Sequence, residues 1–338
     1  MNQKGGINLS VKEIRRLRVL HRIETGTLKL KEAAAMLGLC TKQMGRIWKR
    51  YQSESEFGLA HRSRGMPGNR RKDAALRSRA VELYREKYHD FGPTLAAEKM
   101  KERDGLEVNR ETLRRWLWGA CLWKGKTTHS LHRKRRRRKE HFGEMVQMDG
   151  SDHTWFEERG ERCCLMVMVD DATGHTEAHF CGSETTRDAL LLLLKWIKKH
   201  GVPSKLYTDR KNIYVTDRLP TEEEKRQGTG ALTEFGQVCA RLGIQIIPAG
   251  SPQAKGRIER KNGVLQDRLV KELRLMGING IEDANRGIDS FLEDLNRRFR
   301  VAPTHEANYH RELPLGESLE HLFRIEKKRR LQNVEDPH

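Results

Sequence analysis

Along the first fifty residues the apolar positions recur every three to four places. In "VKEIRRLRVLHRIETG", Val11, Ile14, Leu17 and Leu20 fall on one helical face, and Gly26 closes the segment. In "TLKLKEAAAMLGLCTKQMGRIWKRYQ" the spacing predicts a short helix over Lys31 to Leu37, a tight turn at Gly38-Leu39-Cys40 and a second helix capped by Thr41. That is helix-turn-helix spacing, with Met44, Ile47 and Trp48 facing inward. A second set of helical stretches, "AALRSRAVELYREKY", "TLAAEKMKERDG" and "NRETLRRWLWGACLW", repeats the design. Asn109 caps its third helix, and Leu113, Trp116, Leu117 and Leu122 form its core.

After Phe142 the period falls to two. "EMVQMDG" predicts a strand ending in Asp149, and "CCLMVMVDDATGHTEAHF" predicts a buried strand from Leu165 to Val169 that turns at Asp170-Asp171 and Gly174. There follow a helix in "TRDALLLLLKWIKKHG", a strand in "PSKLYTD" ending at Asp209, a helix in "ALTEFGQVCARLG" and a strand in "IQIIPAG". A further helix begins with Ser251 as cap and Pro252 in the first turn, with Ile258, Leu265, Leu269 and Leu273 as its buried stripe. The order βββαβαβα describes a mixed α/β layer fold. The domains expected are 1–57 and 73–123, two all-α modules; basic linkers at 58–72 and 124–141; an α/β core at 142–300; and a C-terminal arm and helix at 301–338.

Charge separates these parts. Residues 1–140 hold 36 Lys and Arg against 15 Asp and Glu, and residues 141–338 hold 30 against 32, so the N-terminal part fits a polyanion and the remainder does not. In a helix-turn-helix unit the second helix enters the major groove, which makes Thr41, Lys42, Gln43 and Arg46 candidate DNA contacts. Arg110, Arg114 and Arg115, with Thr112, take the same place in the second module. Arg133 to Lys139 are seven consecutive cations; Arg135, Arg136, Arg137 and Arg138 within them are expected to lie on nucleic acid or to stay disordered. Six cysteines without a CxxC pair point to neither a disulfide framework nor a zinc knuckle, and His129 and His132 read as part of the basic linker. No signal-peptide core or membrane-length apolar run occurs, so a cytoplasmic protein with no membrane partner is expected.

The candidate chemistry lies in carboxylates. Asp149 and Asp209 are expected at strand ends, and Glu259 shares a helix face with Asn262, Gly263 and Gln266 that looks toward them. Three converging carboxylates repel unless a divalent cation takes up their charge, and hard oxygen ligands favour Mg2+ or Mn2+. Two such ions about 4 Å apart clamp the attacking and leaving oxygens of a phosphodiester. Lys255, four residues before Glu259, is either a scissile-strand phosphate contact or an i,i+4 partner of Glu259. Nearby, Arg257, Arg260 and Lys261 are expected to meet DNA or solvent. His153 and Trp155 are read as ordering the metal site or the DNA and, equally, as packing at the next strand. Asp152, Asp170, Asp171 and Asp217 are competing acids, of which Asp170 and Asp171 read as a turn and Asp217 as part of an insertion.

The segments "VQMDGSDHTWF", "VMVDDATGH", "LYTDRKNIY" and "SPQAKGRIERKNGVLQDRLVKELRLMGI" closely resemble the integrase-like core of DDE transposases, specifically the ISNCY-type insertion-sequence transposases. The resemblance covers Glu144 to Ile278 strongly, and "AAAMLGLCTKQMGRIWKRYQ" and "GLAHRSRGMPGNR" fit the same family. It implies an RNase H-like mixed-sheet catalytic core preceded by two all-α helix-turn-helix modules, with Asp149, Asp209 and Glu259 as a metal-binding triad. It also implies strand cleavage at transposon ends and 3′-hydroxyl transfer into target DNA, on double-stranded terminal inverted repeats, by a homo-oligomer.

Two features depart from that pattern. The interval from Asp209 to Glu259 is long, and "KNIYVTDRLPTEEEKRQGTG" within it reads as a loop or partly ordered insertion. No strand-rich stretch follows the core where the family continues into a small β-rich domain. The rival reading is therefore a DNA-binding regulator with a silent core, and a third is a nuclease of RNA–DNA hybrids. A tyrosine recombinase is set aside despite Tyr207 and Tyr214, because its Arg-His-Arg-Tyr constellation is not assignable.

Overall fold

The computed structural model describes residues 9–61, 72–125, 136–226, 230–250, 255–313 and 318–324. Most of the 58–72 linker, Arg133 to Arg135, His129, His132 and the expected cap Ser251 lie outside the described residues. The chain divides into two compact units, Met1–Lys124 and Gly125–His338.

In the first unit, α1 (Val11–Glu24), α2 (Leu30–Leu37) and α3 (Thr41–Glu54) enclose Val19, Leu20, Ala33, Ala34, Met44 and Leu59. Gly38 ends α2 in the left-handed region at φ 63°, a conformation that an L side chain adopts only under strain. The cap of α3 is Cys40 and not Thr41: its sulfur accepts from the Gln43 N–H at 3.4 Å. The buried face of α1 also differs from expectation. Val11 is 85% exposed and Ile14 40%, whereas Glu13 is buried and accepts from the Ser10 N–H at 2.7 Å. The helix has rolled so that a carboxylate that caps its own N-terminus takes the inward position.

Three further helices, α4 (Ala74–Lys87), α5 (Pro93–Asp104) and α6 (Arg110–Gly119), bury Leu83, Tyr84, Tyr88, Phe91, Met100, Leu113 and Leu117. Asn109 caps α6 as expected, accepting from the Glu111 N–H at 2.9 Å. The two buried tyrosines keep their hydroxyls bonded, Tyr84 to the Phe91 carbonyl at 2.9 Å and Tyr88 to Asp104 at 2.6 Å.

The second unit is built on a five-stranded sheet of order β3-β2-β1-β4-β5. Its strands are β1 (Val146–His153), β2 (Cys163–Asp170), β3 (Thr176–Cys181), β4 (Lys205–Thr208) and β5 (Gln245–Pro248). β2 runs antiparallel to β1 and β3, while β4 and β5 run parallel to β1. The sheet is RNase H-like, as the resemblance implies. Helices α7 (Thr186–His200) and α9 (Glu234–Arg241) cover one face; α10 (Gly256–Leu275) and α11 (Ile281–Phe299) cover the other. Every residue of β2 is buried because both faces are covered: Cys164, Met166 and Met168 enter the core beneath α7, and Leu165, Val167 and Val169 the core beneath α10. At about 1.5–3 kcal/mol for each large apolar side chain, this double core is the main stabilising contribution.

The outer edge of β3 is closed by two asparagines of α11. Asn285 accepts from the Phe180 N–H at 2.8 Å and donates to its carbonyl at 2.9 Å; Asn296 does the same for Thr176, both at 2.9 Å. These amides stand in for a neighbouring strand and remove an exposed edge. Beyond α11, an extended segment bridges Phe142 through Asn308 and Val202 through Arg311, and α12 (Leu319–Leu322) buries Leu322 in the core beneath α7. The stretch after Asp209 carries a short helix, α8 (Glu222–Arg226), held by the ion pair of Arg218 with Glu224. No helix among the described residues is long and apolar enough to cross a membrane.

Candidate active site

Asp149 lies in the middle of β1 and not at its end, because the antiparallel pairing with β2 continues to His153. On the other side, however, the parallel ladder to β4 stops at Gln147 and Tyr207. Asp149 and Asp209 each follow that last pair by two residues, so they flank the point where β1 and β4 separate. A strand that is paired on one side and open on the other presents its side chains in a cleft with fixed backbone.

The two aspartates are linked by one cation. Lys255, buried in the position just before α10, places Nζ 2.7 Å from Asp149 Oδ1 and 3.8 Å from Asp209 Oδ2. It therefore pairs with the aspartates and not with Glu259 four residues on. Asn262 adds a donor to Asp149 Oδ2 at 3.3 Å, and the Lys211 N–H donates to Asp209 Oδ1 at 3.0 Å. Gln147 anchors the start of α10 by accepting from the Ile258 N–H at 3.2 Å, and Gln266 donates to Ser151 at 3.1 Å. Glu259 is exposed in the first turn of α10, one turn before Asn262, the residue that donates to Asp149.

Among the described residues, one group of three His, Cys, Asp or Glu side chains has its ligand atoms within 4.8 Å of one another: His175, Glu177 and His200, not the expected triad. The Lys255 ammonium lies with the two aspartates, and Glu259 is exposed.

Glu184 is a fourth carboxylate beside the site, which sequence reading missed. It pairs with the Lys211 ammonium, itself 3.8 Å from Asp209 Oδ2, and accepts from the Tyr214 hydroxyl at 2.9 Å. It fits because residue 150 is glycine: a Cβ there would lie 2.4 Å from Glu184 Oε2. Burial alone would depress Lys211, but Glu184 foremost, then Asp209 and Asp149, hold its ammonium above the ordinary range. Burial, followed by the same three carboxylates, pushes the Tyr214 hydroxyl far above its usual value. Tyr214 is thus a buried hydrogen-bond donor. Trp155 is also structural, with no exposed surface and its indole N–H donated to the Ser151 carbonyl at 3.0 Å.

Behind the site, Asp171 is a structural hub. Fully buried, it pairs with Arg136, accepts from Arg257 Nε at 2.8 Å and Gln147 Nε2 at 2.7 Å, and accepts from the Lys139 N–H at 2.8 Å. Arg138 donates to the Ala172 carbonyl at 3.0 Å. The described end of the seven-cation run is therefore ordered against the core, contrary to the expectation that it lies on nucleic acid or stays disordered. Arg257, expected to face DNA or solvent, serves the same buried carboxylate. A buried acid without these partners would be far more costly than three ordered side chains and a backbone N–H. Lys261 is pushed down to about 8, by burial first and by Arg138 second.

In the first unit, Thr41, Lys42, Gln43 and Arg46 all lie exposed on α3. Gln43 and Arg46 join Arg16, Lys49 and Arg50 around a groove of about 560 Å³. On α6, Arg110, Arg114 and Arg115 are exposed, and Arg114 forks onto Glu111 at 2.8 and 2.7 Å.

No protein-family model matches the chain. It is 41% identical over 313 residues to the protein named as transposase y4bF of Sinorhizobium fredii (strain NBRC 101917 / NGR234), an alignment covering 92% of this chain and 67% of that one. To the transposase for insertion sequence IS1202 of Streptococcus pneumoniae it is 26% identical over 324 residues, covering 85% and 68%. The chain thus spans about two thirds of the length of each. Similar solved structures include the simian T-cell lymphotropic virus intasome in complex with PP2A regulatory subunit B56 gamma, at 19% identity and TM-score 0.41 over 71% of this chain and 79% of that one. Another is the HTLV-2 integrase catalytic core domain in complex with magnesium, at 20% identity and TM-score 0.38 over 50% and 96%.

Proposed function

We propose, for a chain that belongs to the transposases of insertion sequences, that Asp149, Asp209 and Glu259 are the ligands of its catalytic metals, and that it cleaves strands at transposon ends and joins the freed 3′-hydroxyl to target DNA. The observation that carries this reading is the placement of Asp149 and Asp209 side by side beyond the β1–β4 ladder, around a lysine ammonium. A site that holds one cation between two carboxylates has the donors and the charge for divalent ions, and all three side chains offer hard oxygens. Two Mg2+ or Mn2+ ions, when bound, supply the Lewis acidity that activates water or a 3′-hydroxyl and neutralises charge on the phosphate.

The chain's own residues prepare that site. Asn262 orients Asp149, and the Lys211 N–H orients Asp209, so both carboxylates meet an incoming ligand in fixed rotamers. With Asp149 and Asp209 engaged by metal, Lys255 would be available to a DNA phosphate, which reconciles the observed ion pair with a role at the scissile strand. Glu259 enters from the first turn of α10, where solvation leaves it free to turn toward Asp149. Thr41, Lys42, Gln43, Arg46, Arg110, Arg114 and Arg115 meet the terminal repeats through two helices of the first unit, and Arg135 and Arg137 add phosphate contacts. Arg136 and Arg138 position the chain from the core side. Joining two transposon ends requires at least two copies on DNA.

The test is a Mg2+-dependent assay on DNA carrying the terminal inverted repeats. Cleavage and end-joining by wild type, lost in Asp149→Asn with repeat binding retained, supports the proposal. Equal inactivity of both proteins, each still binding the repeats, would favour a DNA-binding regulator with a silent core.

A further inference from the structure

A second cluster of ligand-type side chains lies on the opposite face of the sheet. Glu177 shares its face of β3 with Cys181, which packs in the core beneath α7, whereas Asp149 faces Asn262 of α10. His175 precedes β3, and His200 ends α7. His175 Nε2 lies 3.3 Å and His200 Nε2 3.4 Å from the same oxygen, Glu177 Oε1, and the two rings stand at 80° with centroids 4.6 Å apart.

We propose that His175, Glu177 and His200 form a zinc site separate from the catalytic carboxylates. Two imidazole nitrogens and one carboxylate oxygen suit zinc, and tetrahedral bonds of about 2.0–2.1 Å put neighbouring ligand atoms roughly 3.3–3.4 Å apart, the spacing found here between Glu177 Oε1 and each imidazole nitrogen, with all three ligand atoms within 4.8 Å of one another. Magnesium, which prefers six oxygens, fits this donor set poorly. The second carboxylate oxygen is already engaged: Glu177 Oε2 accepts from Lys199 Nζ at 2.9 Å, which fixes Oε1 toward the imidazoles. Asp289 pairs with Lys199 at 3.3 Å and with Lys195 at 2.5 Å, and Lys195 lies 3.9 Å from Glu177 Oε2, so two lysines and two carboxylates balance on the side of Glu177 turned away from the imidazoles.

The cluster opens on a cleft of about 610 Å³ lined by Asp289, Asn296, Arg297 and Arg300, through which a water reaches the fourth position. Zinc there ties the start of β3 to the end of α7. With zinc on Nε2 the His175 proton resides on Nδ1, which is buried and has no hydrogen-bond acceptor. Lack of that supporting bond weakens such sites about 10–100-fold, so micromolar affinity is expected and not the tighter binding of fully supported sites.

The test titrates zinc sulfate alone into the full chain carrying Asp149→Asn and Glu259→Gln, with binding read by calorimetry and fold by circular dichroism. One equivalent is expected, with affinity at least about tenfold weaker once His200→Gln is added. Cobalt(II) in place of zinc should give the intense visible absorption of a tetrahedral ion in the same protein. No zinc uptake, uptake unchanged by His200→Gln, or a weak six-coordinate cobalt spectrum would overturn the proposal; the cobalt spectrum decides even where the substituted chain does not fold.

Discussion

Lys255 Nζ sits 2.7 Å from Asp149 Oδ1 and 3.8 Å from Asp209 Oδ2, so a single side chain bridges both aspartates from the threshold of α10. With only 10% of the Lys255 side chain and 18% of Asp149 exposed, the pair is largely shielded from water. Replacing Lys255 by Gln leaves two carboxylates facing each other. The variant should lose roughly 1–3 kcal/mol of stability in the presence of chelator and gain more from added Mg2+ than wild type does. Thermal melts with and without the ion measure both effects.

Gly150 admits Glu184 to the site. A methyl group at this position meets the Glu184 carboxylate, a movable side-chain end, so Gly150→Ala should displace Glu184 and with it Lys211, which bridges to Asp209. Strand-transfer rate should fall about 10–100-fold, the range for loss of a supporting contact at a metal site. A melting temperature near that of wild type would separate this effect from unfolding.

Asp171 collects Arg136, Arg257, Gln147 and the Lys139 N–H with none of its own surface exposed. Asp171→Ala strands partly buried cations, and a cost of about 3–5 kcal/mol is expected. The segment at Arg136–Lys139 loses its anchor in the same step, so limited trypsin digestion should cut there faster than in wild type.

His310 predicts a pH dependence. Its Nε2 accepts from the Trp196 indole at 3.0 Å, and burial first, then His200 and His175, push its pKa down to about 4. The folded state therefore binds fewer protons than the unfolded chain, whose histidine titrates near about 6.5. The contribution is complete above that pH and is lost as pH falls toward 4; it amounts to ~2 kcal/mol after a discount for partial exposure. His310→Gln, which still offers the indole an acceptor, should flatten the acid limb of a plot of melting temperature against pH.

Much of the scaffold was legible because it is local. Ile258, Leu265, Leu269 and Leu273 form the buried stripe of α10 that the helical period implies, and Asn109 caps α6. Asp209 stands just past β4, where the apolar run ends. What escaped the sequence depends on partners far along the chain. Asp171 reads as a turn residue until Arg136 and Arg257, 35 and 86 positions away, are brought to it. Glu184 has no local signal at all, since its meaning comes from Gly150 and Lys211. The middle position of Asp149 in β1 likewise follows from pairing with β2, which period-two patterning does not reveal once polar residues enter the strand.

The most direct test of the triad is strand joining by Glu259→Gln on pre-cleaved repeat ends in Mg2+, measured beside repeat binding by the same protein. The substitution keeps the shape of an exposed side chain and removes its charge, so folding and DNA affinity should stay near wild type while joining falls by about a thousandfold or more, a barrier increase of about 4 kcal/mol. Joining at the wild-type rate by Glu259→Gln would contradict the assignment of Glu259 as a metal ligand.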